Sequence, residues 1–138
     1  MSKSLLVYYI LDENHQPVAT TDVLTWGRFY EDMSQRRVGE TLTEFHWVST
    51  IFLGIDHNFS FKGPPILFET MIFERQEHIT KIFGKERFVH EELGGERYCT
   101  WDEAKAGHAK LVMEVIRNEQ KAMAVMQKHL SVKAKNDN

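Results

Sequence analysis

Two apolar runs, residues 45–55 and 66–73, both rich in β-branched and aromatic side chains, flank a connection holding Asp56, His57, Asn58, Gly63, Pro64 and Pro65. Runs of this kind on either side of turn-forming residues predict two neighbouring strands of one sheet. Alternation sorts their side chains. In the first strand Val48, Thr50 and Phe52 take one face, with Ser49, Ile51, Leu53 and Ile55 on the other. In the second, Leu67, Glu69, Met71 and Phe73 lie opposite Ile66, Phe68, Thr70 and Ile72. Both faces are largely apolar, which suits a central pair, or a sheet covered by helices on one side and by a partner on the other.

The remainder of the chain arranges itself around that pair. Residues 5–11 form a continuous apolar run fit for a buried strand, broken by Asp12, Glu13 and Asn14, with Asn14 suited to the turn. Asp22 is placed to cap a first helix whose Val23, Trp26, Gly27, Tyr30 and Met33 share one face. Gly27 within it costs about 1 kcal/mol relative to alanine, so its place on the apolar face predicts close approach to the sheet. Residues 34–43 are polar and read as a connection or short edge strand. Residues 74–96 are densely charged, with Gly84, Gly94 and Gly95, and read as a protruding hairpin pairing 81–83 with 86–89, or as a loop. A short last strand follows over 96–99.

Thr100 and Glu103 then form a capping box, with Asp102 adding negative charge where the helix dipole favours it. Trp101, Ala104, His108, Leu111, Val112, Val115, Ile116, Ala122, Met123, Met126 and Leu130 continue as a helical stripe. A helix of about 30 residues is near 45 Å long, whereas an eight-residue strand covers only ~26 Å, so several turns should outrun the sheet. The overhang, from about Glu119, keeps Ala122, Met123, Met126 and Leu130 on one side, a surface that predicts a homo-oligomer. The competing expectation is a break near Arg117 and Asn118 with the chain folding back. A frayed polar tail is expected near 132–138. The fold class is α+β: a small antiparallel sheet of 4–5 strands packed against two helices, the C-terminal one long, in a single domain.

Composition narrows the function classes. At 138 residues, 42% hydrophobic and 27% charged, the chain is an ordinary globular domain, and a net charge of -3 argues against general nucleic-acid binding. Its single cysteine, Cys99, allows no internal disulfide, and no apolar run spans a bilayer, so a cytoplasmic setting is expected. The sequence has no GxGxxG or Walker-type loop, no HExxH, no GxSxG and no histidine–cysteine ligand spacing. These absences weigh against an enzyme, and no cofactor or metal is expected.

Asp56 and His57 lie in the strand connection, where functional groups are commonly presented. With Glu69, and with His46 or His108, they could form an acid–base pair or a carboxylate–histidine metal site, making a small hydrolase or transferase a third reading. Against this, Asp and Asn are ordinary turn formers, and neighbouring side chains diverge on extended backbone. Glu69, between Leu67 and Met71, must be paired, protonated or solvated: Arg97 or Arg28 could pair with it, or it could line a polar pocket. Phe59 and Phe61 stand out because a loop rarely needs two large apolar groups unless they fold back as a lid or meet a partner. With Arg36, Arg37 and Lys62 the aromatics could also build a nucleotide platform. The candidate ligand site is therefore Asp56, His57, Phe59, Phe61, Glu69 and Arg97, and the candidate oligomer interface Ala122, Met123, Met126 and Leu130.

The spaced series VSTIFLGIDHNF, GPPILFETMIFE and ERYCTWDEAKAGHAKLV, preceded by YYILDENHQPV and LTWGRFYED, resembles a group of small uncharacterised proteins encoded by tailed bacteriophages and prophages. The resemblance runs from Tyr8 to Val112. The chain departs from it in a longer charged segment over 74–96 and an extended C-terminal helix. The resemblance implies a setting, not a mechanism: an accessory protein that binds host machinery or a defence system, by occupying a host protein or sequestering a nucleotide signal, or else a structural assembly component.

Overall fold

The computed structural model describes residues 7–75 and 92–136. The chain opens with a two-stranded antiparallel hairpin, β1 (Tyr8–Leu11) and β2 (Pro17–Thr20). Its turn is held by one carboxylate, Asp12 Oδ1, which accepts the N–H groups of Asn14 at 2.8 Å and Gln16 at 2.9 Å. His15, not Asn14, takes the left-handed position at φ 62°. The strand β2 is a finding, because Pro17 and the short polar surroundings gave no strand pattern.

Helix α1 (Val23–Glu31) begins at Asp22, whose carboxylate accepts from Leu24 and Thr25 as expected of a cap. The single turn α2 (Met33–Arg36) is capped in the same way by Asp32. The expected buried face of α1 is corrected. Trp26, Gly27 and Phe29 are half-buried, while Val23, Tyr30 and Met33 are exposed. Gly27 makes no close approach: a methyl group there would meet no described atom within 4 Å. The tight contact lies at Gly54, φ 77°, where the Trp26 indole N–H donates to the carbonyl at 3.2 Å.

The main sheet is β3 (Arg37–Leu42), β4 (His46–Phe52), β5 (Phe68–Glu74) and β6 (Glu92–Tyr98), in that spatial order and antiparallel throughout. The two runs around the central connection are the inner strands, as their two-sided apolar pattern requires. Val48, Thr50 and Phe52 of β4 and Phe68 and Thr70 of β5 are fully buried on the inner face. Trp47, Ser49, Ile51, Met71 and Phe73 are half-buried on the other. Strand β6 starts four residues earlier than the sequence pattern indicated, and the expected hairpin at 81–89 lies outside the described residues.

Helix α3 (Trp101–Asn136) lies across the inner face. Thr100 Oγ1 accepts the Glu103 N–H at 3.1 Å, and its hydroxyl donates to the Glu103 carboxylate. Trp101 anchors the first turn, edge-on to Phe68 at 6.2 Å and stacked on His15 at 3.8 Å. Gly107 sits directly on the Tyr98 ring, where any Cβ would overlap it. Burial follows Ala104, Gly107, Leu111, Val115 and Glu119, and every residue from Gln120 to Asn136 is exposed. The helix does not break at Arg117 and Asn118, and it continues to Asn136, over residues where the sequence pointed to a frayed tail.

Candidate functional site

The connection between β4 and β5 is a scaffolded loop. Asp56 Oδ1 accepts the N–H of Asn58 at 2.7 Å and of Ile66 at 2.9 Å, closing the loop at its base. The Asn58 amide donates to the carbonyls of Lys62 and Pro64 and accepts from Ser60. Asp56 and Asn58, polar residues a binding site could have used, are thus engaged in holding backbone. What the loop presents is aromatic: Phe59 is 74% exposed and Phe61 96% exposed. Phe61 also has left-handed backbone, φ 61°, a conformation that costs a side-chain-bearing residue about 1–2 kcal/mol. With Tyr9, Ile55, Asp56 and Asn58 these rings border a cleft of about 440 Å³.

His57 lies in the same loop, 6.0 Å from the Phe59 ring. Its Nδ1 is 2.8 Å from the Ile55 carbonyl, so Nδ1 carries the proton and donates it there. Asp56 accepts from Asn58 and Ile66 and His57 donates to Ile55, so no hydrogen bond joins the two side chains into the imidazole–carboxylate pair that acid–base work requires. Glu69 lies on β5, where its Oε1 takes the Arg97 guanidinium at 3.0 Å across the strand pair. The Arg97 alternative therefore holds and Arg28 does not. Glu69 and Arg97 satisfy each other and do not line the cleft, so the six candidate residues fall into two groups.

The nucleotide platform is also taken apart by the fold. Arg36 is buried, donating to the Phe52 carbonyl at 3.1 Å with its guanidinium 3.6 Å above the Tyr30 ring, and Arg37 pairs with Glu40. Burial, then the negative charges of Glu103 and Asp56, push the Cys99 thiol up, which disfavours its thiolate. Among the described residues no group of three or more His, Cys, Asp or Glu could hold a metal ion, and no helix is long and apolar enough to cross a membrane.

Two polar constructions under α3 escaped sequence reasoning. His108 sits between Thr41, 2.9 Å from Nε2, and Thr50, 2.7 Å from Nδ1. From Thr50 the hydroxyls run on to Thr70 at 2.6 Å and Tyr98 at 3.1 Å. Burial holds the His108 imidazole below its usual pKa, so it is neutral and acts as a structural bridge. Immediately before the exposed arm, Glu119 Oε2 accepts from Thr43 at 2.7 Å, the Phe45 N–H at 2.8 Å and His46 Nδ1 at 2.6 Å. Burial raises that carboxyl, but the bonds from His46, Thr43 and Phe45 outweigh it and leave the group below the ordinary carboxylate range. The available signal was a histidine and a glutamate on an otherwise apolar helical stripe.

Beyond this latch the four expected interface residues, Ala122, Met123, Met126 and Leu130, all face solvent, with Met126 65% and Leu130 57% exposed. Comparison of the chain with protein-family models, with curated proteins and with solved structures finds no match.

Proposed function

We propose that this chain is a non-enzymatic binding protein that works as a homo-oligomer, holding a protein target with the loop over 56–65 and its own copies with the exposed arm of α3. The observation that carries the reading is Phe61: a bulky aromatic in left-handed backbone, almost wholly in solvent, on a loop braced by the side chains of Asp56, Asn58 and Ser60. Strain maintained by a rigid surround, at an exposed apolar residue, is the signature of a contact made with something else. Two exposed rings bordering one cleft fit the aromatic anchors of a protein interface. A nucleotide is the poorer fit, because Arg36 and Arg37 are committed elsewhere and Lys62 alone would face its phosphates.

The setting we propose with it, on the resemblance set out above, is that of a phage or prophage accessory protein acting inside the host cytoplasm on a host protein, including a component of host defence. The test is a comparative pull-down from bacterial host lysate, using the full chain against its Phe59→Ala/Phe61→Ala variant and a Met113→Ala surface control. Proteins retained by the wild type and the control but lost with the double variant support the reading. Identical retention by all three overturns it.

A further inference from the structure

The arm of α3 from Gln120 to Asn136 is not only apolar on one side; its charge is one-signed. It carries Lys121, Lys128, Lys133 and Lys135 and no acidic residue, so the arm is +4 while the remainder of the chain, on a total of -3, is -7. Glu119, Met123, Met126, Leu130 and Lys133 succeed one another at spacings of 4, 3, 4 and 3, the seam of a two-stranded coiled coil. On that wheel the positions flanking the seam are Gln120, Ala122, Gln127, His129, Ala134 and Asn136, with no lysine or carboxylate among them. Lys121, Lys128 and Lys135 fall in one row on the opposite side. A second copy of the same arm can therefore approach the seam without meeting a charge at its flanks.

We infer that two copies pair antiparallel through these arms, each basic tip reaching the acidic body of the other; this rests on the assembly reading proposed above and specifies its geometry. The occupant is a second copy, and three features select the direction. A parallel pair would set two bodies of like charge side by side and align Lys133 with Lys133, whereas an antiparallel pair separates the bodies by the length of the arm, about 25 Å for its 17 residues. Below Gln120 the seam is closed by the chain's own β3–β4 turn, clamped through Glu119, so the tip of an incoming arm must stop there. Full overlap then sets residue 120 level with residue 136, Met126 of one copy against Leu130 of the other, and Met123 against Lys133. That same stop carries Glu44, exposed, and Phe45, 47% exposed, which offer Lys133 an opposite charge and an apolar floor. The helix contact alone is narrow, and the tip-to-turn contact at both ends extends it toward the size that specific interfaces need.

Disulfide trapping in a Cys99→Ser background, with sedimentation of the full chain at micromolar concentration, tests the arrangement. The chain should sediment as a dimer, and Met126→Glu should raise its dissociation constant about 100-fold while leaving the helical circular dichroism of the monomer intact. The double variant Met126→Cys/Leu130→Cys should oxidise to a covalent dimer, and neither single variant should. Cross-linking by Leu130→Cys alone would mean parallel arms and overturn the geometry while leaving self-assembly standing. A monomer would overturn both. A monomer that pellets with vesicles containing phosphatidylserine would assign the basic arm to a membrane surface instead and equally overturn the inference.

Discussion

Phe61 and Glu119 place opposite demands on single residues. Replacing Phe61 by glycine relieves a left-handed position at a side chain that touches almost nothing, so Phe61→Gly should leave stability unchanged or raise it by up to about 1 kcal/mol while abolishing target retention. Equal losses of stability and binding in a urea titration and pull-down would make the ring a folding residue. Glu119→Ala strips the acceptor from three donors at once, two of them in the β3–β4 turn backbone or its hydroxyl, and should cost about 2–4 kcal/mol of unfolding free energy. His108 and Glu119 also fix the direction of the pH response. Each has a depressed pKa in the folded chain, so each contributes stability that is present above its unfolded pKa and lost as pH falls through its lower folded value. His108 begins to act near its usual value of 6.5, Glu119 only below the usual 4.5. The urea midpoint should therefore decline already on moving from about one unit above 6.5 to about one unit below it. His108→Gln should flatten that first decline; a slope unchanged by the substitution would remove His108 as its source.

At the level of elements, two helical glycines that look alike in sequence behave differently. Gly107 of α3 lies on the Tyr98 ring, so Gly107→Ala must lift the helix from β6 and should destabilise by about 1–3 kcal/mol. Gly27 of α1 faces open space, so Gly27→Ala should stabilise by up to about 1 kcal/mol through helix propensity alone. Thermal melts of the two variants should move in opposite directions, and a shared direction would mean that one of the two packings is misread. The sequence pattern supported the reverse at Gly27, because periodicity records which side chains are apolar but not which neighbour comes close. Helix α1 shows the same thing. Its cap at Asp22 was legible because the cap is local, whereas its packed face, which keeps the expected Trp26 but adds Phe29 in place of Val23, Tyr30 and Met33, depended on where the β1–β2 hairpin and Gly54 came to lie.

For the whole molecule, the decisive feature is a basic arm on an acidic body. If assembly uses that contrast, the melting temperature should rise with protein concentration, since dimerisation stabilises the folded chain by mass action. Raising salt should reduce the concentration dependence, because the tip-to-turn contacts are exposed and a Debye length shrinks to about 3 Å at 1 M. A melting temperature indifferent to concentration across the micromolar range would count against self-association in any geometry.

The sequence by itself determined the α+β class, the two central strands with their alternating faces, the capping of α1 and α3, and a final helix longer than its sheet. Each of these is written in local periodicity or in the chemistry of a few adjacent residues. Only the tertiary structure decided that Glu69 belongs to Arg97, that Arg36 is buried against the Phe52 carbonyl, that His108 bridges two strands and that Glu119 clamps a turn more than seventy residues away. Those are pairings of polar groups distant in the chain. A polar residue's sequence context shows that it needs a partner, while the partner's identity depends on which donors and acceptors the folded backbone brings within hydrogen-bond reach.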